Sequence, residues 1–196
     1  MSARDTVTPI THDERQERLR ALQKSLPSFA LDAVMITPGA SMRYLFGLTW
    51  RETERLVCAV VTAQSVVFVC PKFEDTALLA ALPSHHNYAW WEEHEDPRSV
   101  VTTVLAENNC RRVGIDPSCS YGQVFALGNL TSSALSSAGP VLQSLRSQKS
   151  PTEIALMQAA KTLTLDVHIA IFEWIKPGMR MSEVIAEIDR LHRAGG

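Results

Sequence analysis

The stretch from Leu145 to Met157, Leu-Arg-Ser-Gln-Lys-Ser-Pro-Thr-Glu-Ile-Ala-Leu-Met, divides the chain into two kinds of sequence. Ser150 stands where an N-cap belongs, Pro151 takes the first helical position, and Glu153 lies three residues past the cap, the pattern of a capping box. A helix is therefore expected to start here. Before this point the pattern mixes strands and helices. After it the sequence predicts a long helix, a stop at Lys176-Pro177-Gly178-Met179, and a second helix running to Gly196.

Residues 1–10 read as a loose tail. Thr11 and Glu14 form another capping box, opening a helix with Leu19, Leu22 and Leu26 on one face and Pro27 at its end. Residues 31–36 form a short apolar run, a well-buried strand, and Thr37-Pro38-Gly39 turns the chain out of it. A short helix over 41–46 follows, closed by Gly47, with Tyr44 and Leu45 packing it on a sheet. The β-branched runs 56–62 and 65–70, separated by Ala63-Gln64, have the spacing of a tight hairpin and are expected to be central, antiparallel neighbours. A helix over 73–82, a strand over 88–91, a helix over 97–108, a strand over 112–116 and a helix over 121–137 complete the first part. Strands alternating with helices around one hairpin predict a three-layer α/β domain with a mixed sheet.

Composition bounds the function classes. With 45% hydrophobic and 20% charged residues, 196 residues make a globular chain of one domain, or one domain and part of another. A net charge of -2 gives no electrostatic case for nucleic acid or an anionic membrane. Arg4 and Asp5 are followed by no apolar run, so no signal peptide is expected. No stretch is read as long enough for a membrane span, and the expectation is a cytoplasmic protein. Cys58, Cys70, Cys110 and Cys119 are widely spaced and form no Cys-x-x-Cys, so they read as buried thiols, neither a zinc site nor a disulfide framework.

The long second-part helix carries Leu156, Ala160, Leu163, Val167, Ala170 and Trp174 as a continuous apolar stripe. Leu165, Ile169 and Phe172 make a second stripe on another side, so this half of the helix expects cover from two directions. The final helix offers Val184, Ile185, Ile188 and Leu191 as partial cover. The unpaired stripe is an association surface.

Arg146, Lys149, Ser150, Pro151, Glu153, Ile154 and Met157, then Ile175, Lys176, Pro177, Gly178, Met179 and Glu183, resemble the linker and first catalytic-domain helices of the Xaa-Pro aminopeptidase, prolidase and creatinase family. Met42-Arg43-Tyr44-Leu45-Phe46-Gly47 resembles the family's Tyr-Leu-x-Gly signature, with Ser41 where the family often has Asn and Phe46 where it often has Thr. Arg180-Met181 replaces the frequent Thr-Glu. The resemblance implies a tail at 1–10, a creatinase/prolidase N-terminal α/β domain at 11–145, and at 146–196 a linker with the first helices of a "pita-bread" metallopeptidase domain. The chain is thus expected to be truncated early in that domain.

That resemblance also implies a chemistry: two divalent metal ions (Mn, Co or Zn) bridged by a water and held by two Asp, one His and two Glu. No residue of this chain matches those ligands, so no catalytic, cofactor-binding or metal residue is assigned. Local acids do not substitute. Asp166 and His168 point to different faces of a helix, and Asp189 with His192 offers two ligands without a third. Trp91-Glu92-Glu93-His94-Glu95-Asp96-Pro97 is dense in ligand atoms but reads as a polar turn before a helix, and His85-His86 lies in a connection. There is no Gly-x-Ser-x-Gly, P-loop or Gly-x-Gly-x-x-Gly. The expected role is that of an inactive N-terminal part that shapes substrate access and builds a dimer, with proline-containing peptides as substrates of the full-length form. The alternatives are a stand-alone assembly module or part of a creatinase-like amidinohydrolase.

Overall fold

The computed structural model describes residues 7–82 and 86–195 and divides into two compact units, His12–Ser147 and residues 148–195 together with 7–11. In the first unit, helix α1 (His12–Ser25) starts directly after Thr11. It buries Leu19 and Leu22, and Leu26 is buried in the 3-10 turn Leu26–Phe29 that carries Pro27. Strand β1 (Ala33–Ile36) is followed by α2 (Ala40–Phe46), the hairpin β2 (Cys58–Thr62) and β3 (Val66–Pro71), and a 3-10 turn leading into α3 (Asp75–Ala81). Then come β4 (Asn87–Trp91), α4 (Pro97–Glu107), β5 (Arg112–Ile115), α5 (Tyr121–Gly128), β6 (Ala134–Ser137) and α6 (Gly139–Ser147).

The six strands form one mixed sheet in the order β4-β3-β2-β1-β5-β6. β2 runs antiparallel to both β1 and β3, whereas β3–β4, β1–β5 and β5–β6 are parallel. The central strands are buried on both faces, which explains why their runs read as unbroken apolar sequence. Val34, Ile36, Ala59, Val61 and Phe68 face one core with α1, α2, α3 and α6. Ala33, Met35, Cys58, Val60, Val69 and Val113 face the other, with α4 and α5. These are the three layers the alternation predicts. Tyr44 and Leu45 pack as expected: Leu45 is buried, and the Tyr44 hydroxyl donates to the Leu145 carbonyl at 3.1 Å.

Two expectations need correction. The helix expected over 121–137 ends at Gly128, and residues 134–137 form β6. Thr131 and Ser133 are occupied with each other, and the Ser133 hydroxyl donates to the Cys110 carbonyl at 2.7 Å, pulling the chain to the sheet edge. An edge strand with a largely exposed surface has no apolar alternation to announce it. The segment after it is α6, whose Val141 and Leu142 enter the core beside Leu145. The second correction concerns length in a membrane. A single helix among the described residues, α7 (Pro151–Trp174), is long and apolar enough to cross one, by length and composition only.

In the second unit α7 begins as expected. The Ser150 hydroxyl accepts from the Glu153 N–H at 3.1 Å, and the Glu153 carboxylate accepts from the Ser150 N–H at 2.9 Å. Helix α8 (Met181–Gly195) packs against α7. Its start keeps half of a capping box: the Glu183 carboxylate accepts from the Arg180 N–H at 2.7 Å, and the Glu183 N–H, with no cap side-chain oxygen to meet, goes to the Arg180 carbonyl at 3.0 Å. Val167 is buried, while Leu165, Ile169 and Phe172 are 52%, 60% and 84% exposed. Ile185 of α8 is also exposed, so the cover expected from that helix is narrower than its apolar side.

Candidate functional site at the carboxyl edge of the sheet

The strand directions place the carboxyl ends of β1, β3, β4, β5 and β6 on one edge, together with the start of β2. In open α/β sheets this edge is where ligands are met, because the loops leaving the strands can carry functional side chains without disturbing the core. Here an open cleft of about 270 Å³ lies between the residues before β2, the β4–α4 turn and the start of α5. Trp91 forms its apolar wall. That ring is buried and fixed by a hydrogen bond from its indole N–H to the Leu56 carbonyl, 3.0 Å.

Charged residues on the rim satisfy one another. Arg55 reaches Glu93 at 2.9 Å and Glu54 at 2.8 Å, and these carboxylates hold its guanidinium pKa above the usual value, with the Glu93 hydrogen bond foremost. Asp96 caps α4 by accepting from the Arg98 N–H at 3.0 Å and pairs with the Arg98 side chain at 2.6 Å. The Arg98 hydrogen bond therefore draws the Asp96 pKa down. Glu95 accepts from the Glu92 N–H at 2.7 Å, folding the turn on itself. The 92–96 segment is thus the polar turn the sequence predicts: its carboxylates serve a cap, a turn and two ion pairs.

The other weighed residues stay apart. Asp166 and His168 are exposed on α7; Asp189 pairs with Arg193 at 2.8 Å, and the His192 ring lies 2.9 Å from the Ile188 carbonyl. His86 packs edge-on to Phe68, and His85 lies outside the described residues. Cys58, Cys70, Cys110 and Cys119 are free thiols. Burial pushes the pKa of the first three above the ordinary value, and Cys119 is pushed up to about 11 by burial with the Asp116 and Glu52 carboxylates adding to it. None is an activated nucleophile. Among the described residues no group of three or more His, Cys, Asp or Glu is arranged to hold a metal ion.

Sequence reasoning missed Thr37 and Asp116. Both are buried at this edge, 4% and 3% exposed, directly after β1 and β5. The available signal was a polar residue ending an apolar strand, with Pro117 closing the strand behind Asp116.

Comparison with known proteins gives this fold a lineage. Residues 18–148 match the creatinase/prolidase N-terminal domain. An uncharacterized peptidase of Schizosaccharomyces pombe is 28% identical over 95% of this chain and 44% of its own length. The probable dipeptidase PepE of Mycobacterium bovis is 28% identical over 87% of this chain and 46% of its own. The crystal structure of dipeptidase PepE from Mycobacterium ulcerans superposes with a TM-score of 0.86 at 25% identity, covering 93% of this chain and 50% of that one. The chain thus spans about half the length of the curated relatives it matches. With the mixed sheet, its two flanking helical layers and the match over 18–148, the chain belongs to the creatinase/prolidase N-terminal domain family.

Proposed function

We propose that this chain supplies the N-terminal domain of an Xaa-Pro dipeptidase-like metallopeptidase, assigned to residues 11–145 behind a tail at 1–10, together with the linker and first catalytic-domain helices at 146–196. The observation that carries the reading is the family match over 18–148 joined to a helix pair that leaves Leu165, Ile169 and Phe172 exposed among the described residues. On this reading the domain acts by association and by restricting access to the substrate, proline-containing peptides. The two divalent ions, Mn, Co or Zn, are held by the rest of the enzyme. The working form is a cytoplasmic dimer that touches neither nucleic acid nor membrane.

Purified chain with added Mn²⁺, Co²⁺ or Zn²⁺ is expected to hydrolyse no Xaa-Pro dipeptide. Metal-dependent turnover by the chain alone overturns the proposal. A second reading, a stand-alone assembly module, is favoured by the exposure of Leu165, Ile169 and Phe172. The intact mass of the protein from its native source separates the two: a larger product carrying a downstream Asp, Asp, His, Glu, Glu set supports the enzyme, and a product ending at Gly196 supports the module. A creatinase-like amidinohydrolase parent is tested with the same larger product, by comparing a guanidino substrate with an Xaa-Pro dipeptide.

A further inference from the structure

Strand β4 ends the sheet: β3 pairs along one side of it, and the sheet order has no strand on the other. In a parallel ladder alternate residues turn their N–H and C=O groups to the neighbouring strand, and the others turn them away. The outward groups of β4 meet no partner among the described residues, because the backbone of 87–91 bonds only to β3. Free strand edges are templates for pairing, and chains blunt them with lysine, proline or a bulge. β4 has none of these. Asn87-Tyr88-Ala89-Trp90-Trp91 carries no charge and no proline, and its five residues pair with β3 without a break. The opposite edge, β6, is shorter, and its side chains are largely exposed.

The sequence of β4 fits a second copy of itself. Antiparallel pairing about Ala89 sets Tyr88 opposite Trp90 of the second copy, and Trp90 opposite its Tyr88. Within one strand these rings already lie nearly parallel, with centroids 5.1 Å apart and planes at 5°, on the side of the sheet that carries Phe68. Pairing extends that stack across the edge, and aromatic pairs directly opposite each other stabilise antiparallel sheets. Charge favours the same arrangement. His86 precedes β4 and Glu92 follows it, and Glu92 has no ion-pair partner among the described residues. The antiparallel register brings each Glu92 beside His86 of the other copy, whereas a parallel one would set Glu92 beside Glu92. A two-fold contact of this kind also closes on itself. Pairing β4 with β6 of a neighbour would leave an edge free at each end and propagate.

We infer that β4 is the contact strand of a two-fold dimer, pairing antiparallel with β4 of a second copy about Ala89 and joining the two six-stranded sheets into one. The inference names the interface of the dimer proposed above and rests on that reading.

The test is amide hydrogen exchange of the full chain, followed by mass spectrometry below and above the dissociation constant that sedimentation gives. Exchange in 87–91 is expected to slow roughly tenfold on dimerisation, with 134–137 unchanged. Exchange reads β4 itself, whatever other faces touch. A chain that dimerises while 87–91 keep one rate overturns this contact and leaves the dimer reading standing. A chain that stays monomeric overturns both. Slowing in 134–137 together with 87–91 marks head-to-tail pairing of β4 with β6 and overturns the two-fold contact. The double variant Tyr88→Lys, Trp90→Lys sets like charges opposite each other across the edge and should weaken dimerisation roughly tenfold or more, with the circular dichroism of the wild type kept. Undiminished dimerisation of the folded variant overturns the proposal. The exchange result needs no variant and decides alone if this one does not fold.

Discussion

Asp32 shows how one side chain can close the end of a sheet. Its Oδ2 accepts from the Arg111 and Arg112 N–H groups, each at 2.9 Å, and Oδ1 accepts from the Arg112 guanidinium at 2.7 Å. The Arg112 side-chain hydrogen bond, then the backbone bonds, hold the Asp32 pKa below the ordinary value despite the opposing effect of burial. A carboxyl depressed on folding stabilises the native state above its unfolded pKa, and that stability is lost as pH falls through the folded value. Arg112 is half exposed, so most of the worth lies in the backbone bonds. Replacing Asp32 by Ala should cost roughly 1–2 kcal/mol in urea unfolding at pH 7. The difference from wild type should begin to close below about pH 3.9. A cost that is flat with pH would show that Asp32 acts by packing alone.

At the level of elements, the start of α7 tests whether a motif read from sequence carries energy. Both reciprocal bonds of the capping box form, so Ser150→Ala removes one of them and should cost about 1 kcal/mol of helix stability, measured by circular dichroism melting. Gly114 tests the packing of β5 on the core. A Cβ there would lie 2.9 Å from Leu31 Cδ1 and 3.1 Å from the Ala138 Cβ, so Gly114→Ala should cost about 1–3 kcal/mol in urea unfolding. The elements legible in the sequence were those with a physical signature of their own: buried strands as apolar runs, α4 behind Asp96-Pro97, α7 behind Ser150-Pro151. β6 and α6 were not legible for a reason the structure supplies. β6 is short, exposed and serine-rich, and is held in register by parallel pairing to β5, a contact remote in sequence. The cleft was half legible: the 92–96 turn was recognised, but its pairing with Arg55 spans 38 positions and leaves no local trace. Asp116 joined Thr37 through Ser118 in the same non-local way.

For the whole molecule, the exposed apolar face of α7 decides how the chain behaves by itself. Full burial of a Leu, Ile or Phe side chain stabilises by about 1.5–3 kcal/mol each. Leu165, Ile169 and Phe172 together thus present a strong drive toward any surface that fits them, and Met157 and Ile154 extend the exposed set toward the helix start. The sides of α7 serve different purposes. Leu163 and Val167 on one side are half-buried or buried, whereas the Leu165–Phe172 side is not, so polar substitutions on the latter should leave the unit folded. The double variant Ile169→Lys, Phe172→Lys is expected to keep the helical circular dichroism of the wild type. Its concentration-dependent self-association in light scattering should weaken at least tenfold, because every 1.4 kcal/mol of lost burial is a factor of ten. The dye-binding signature of exposed apolar surface should fall with it. If self-association persists undiminished while the helices stay intact, contact runs through another surface; the exposed Tyr121 and Phe125 pair on α5, stacked at 6.1 Å, is then the next face to substitute.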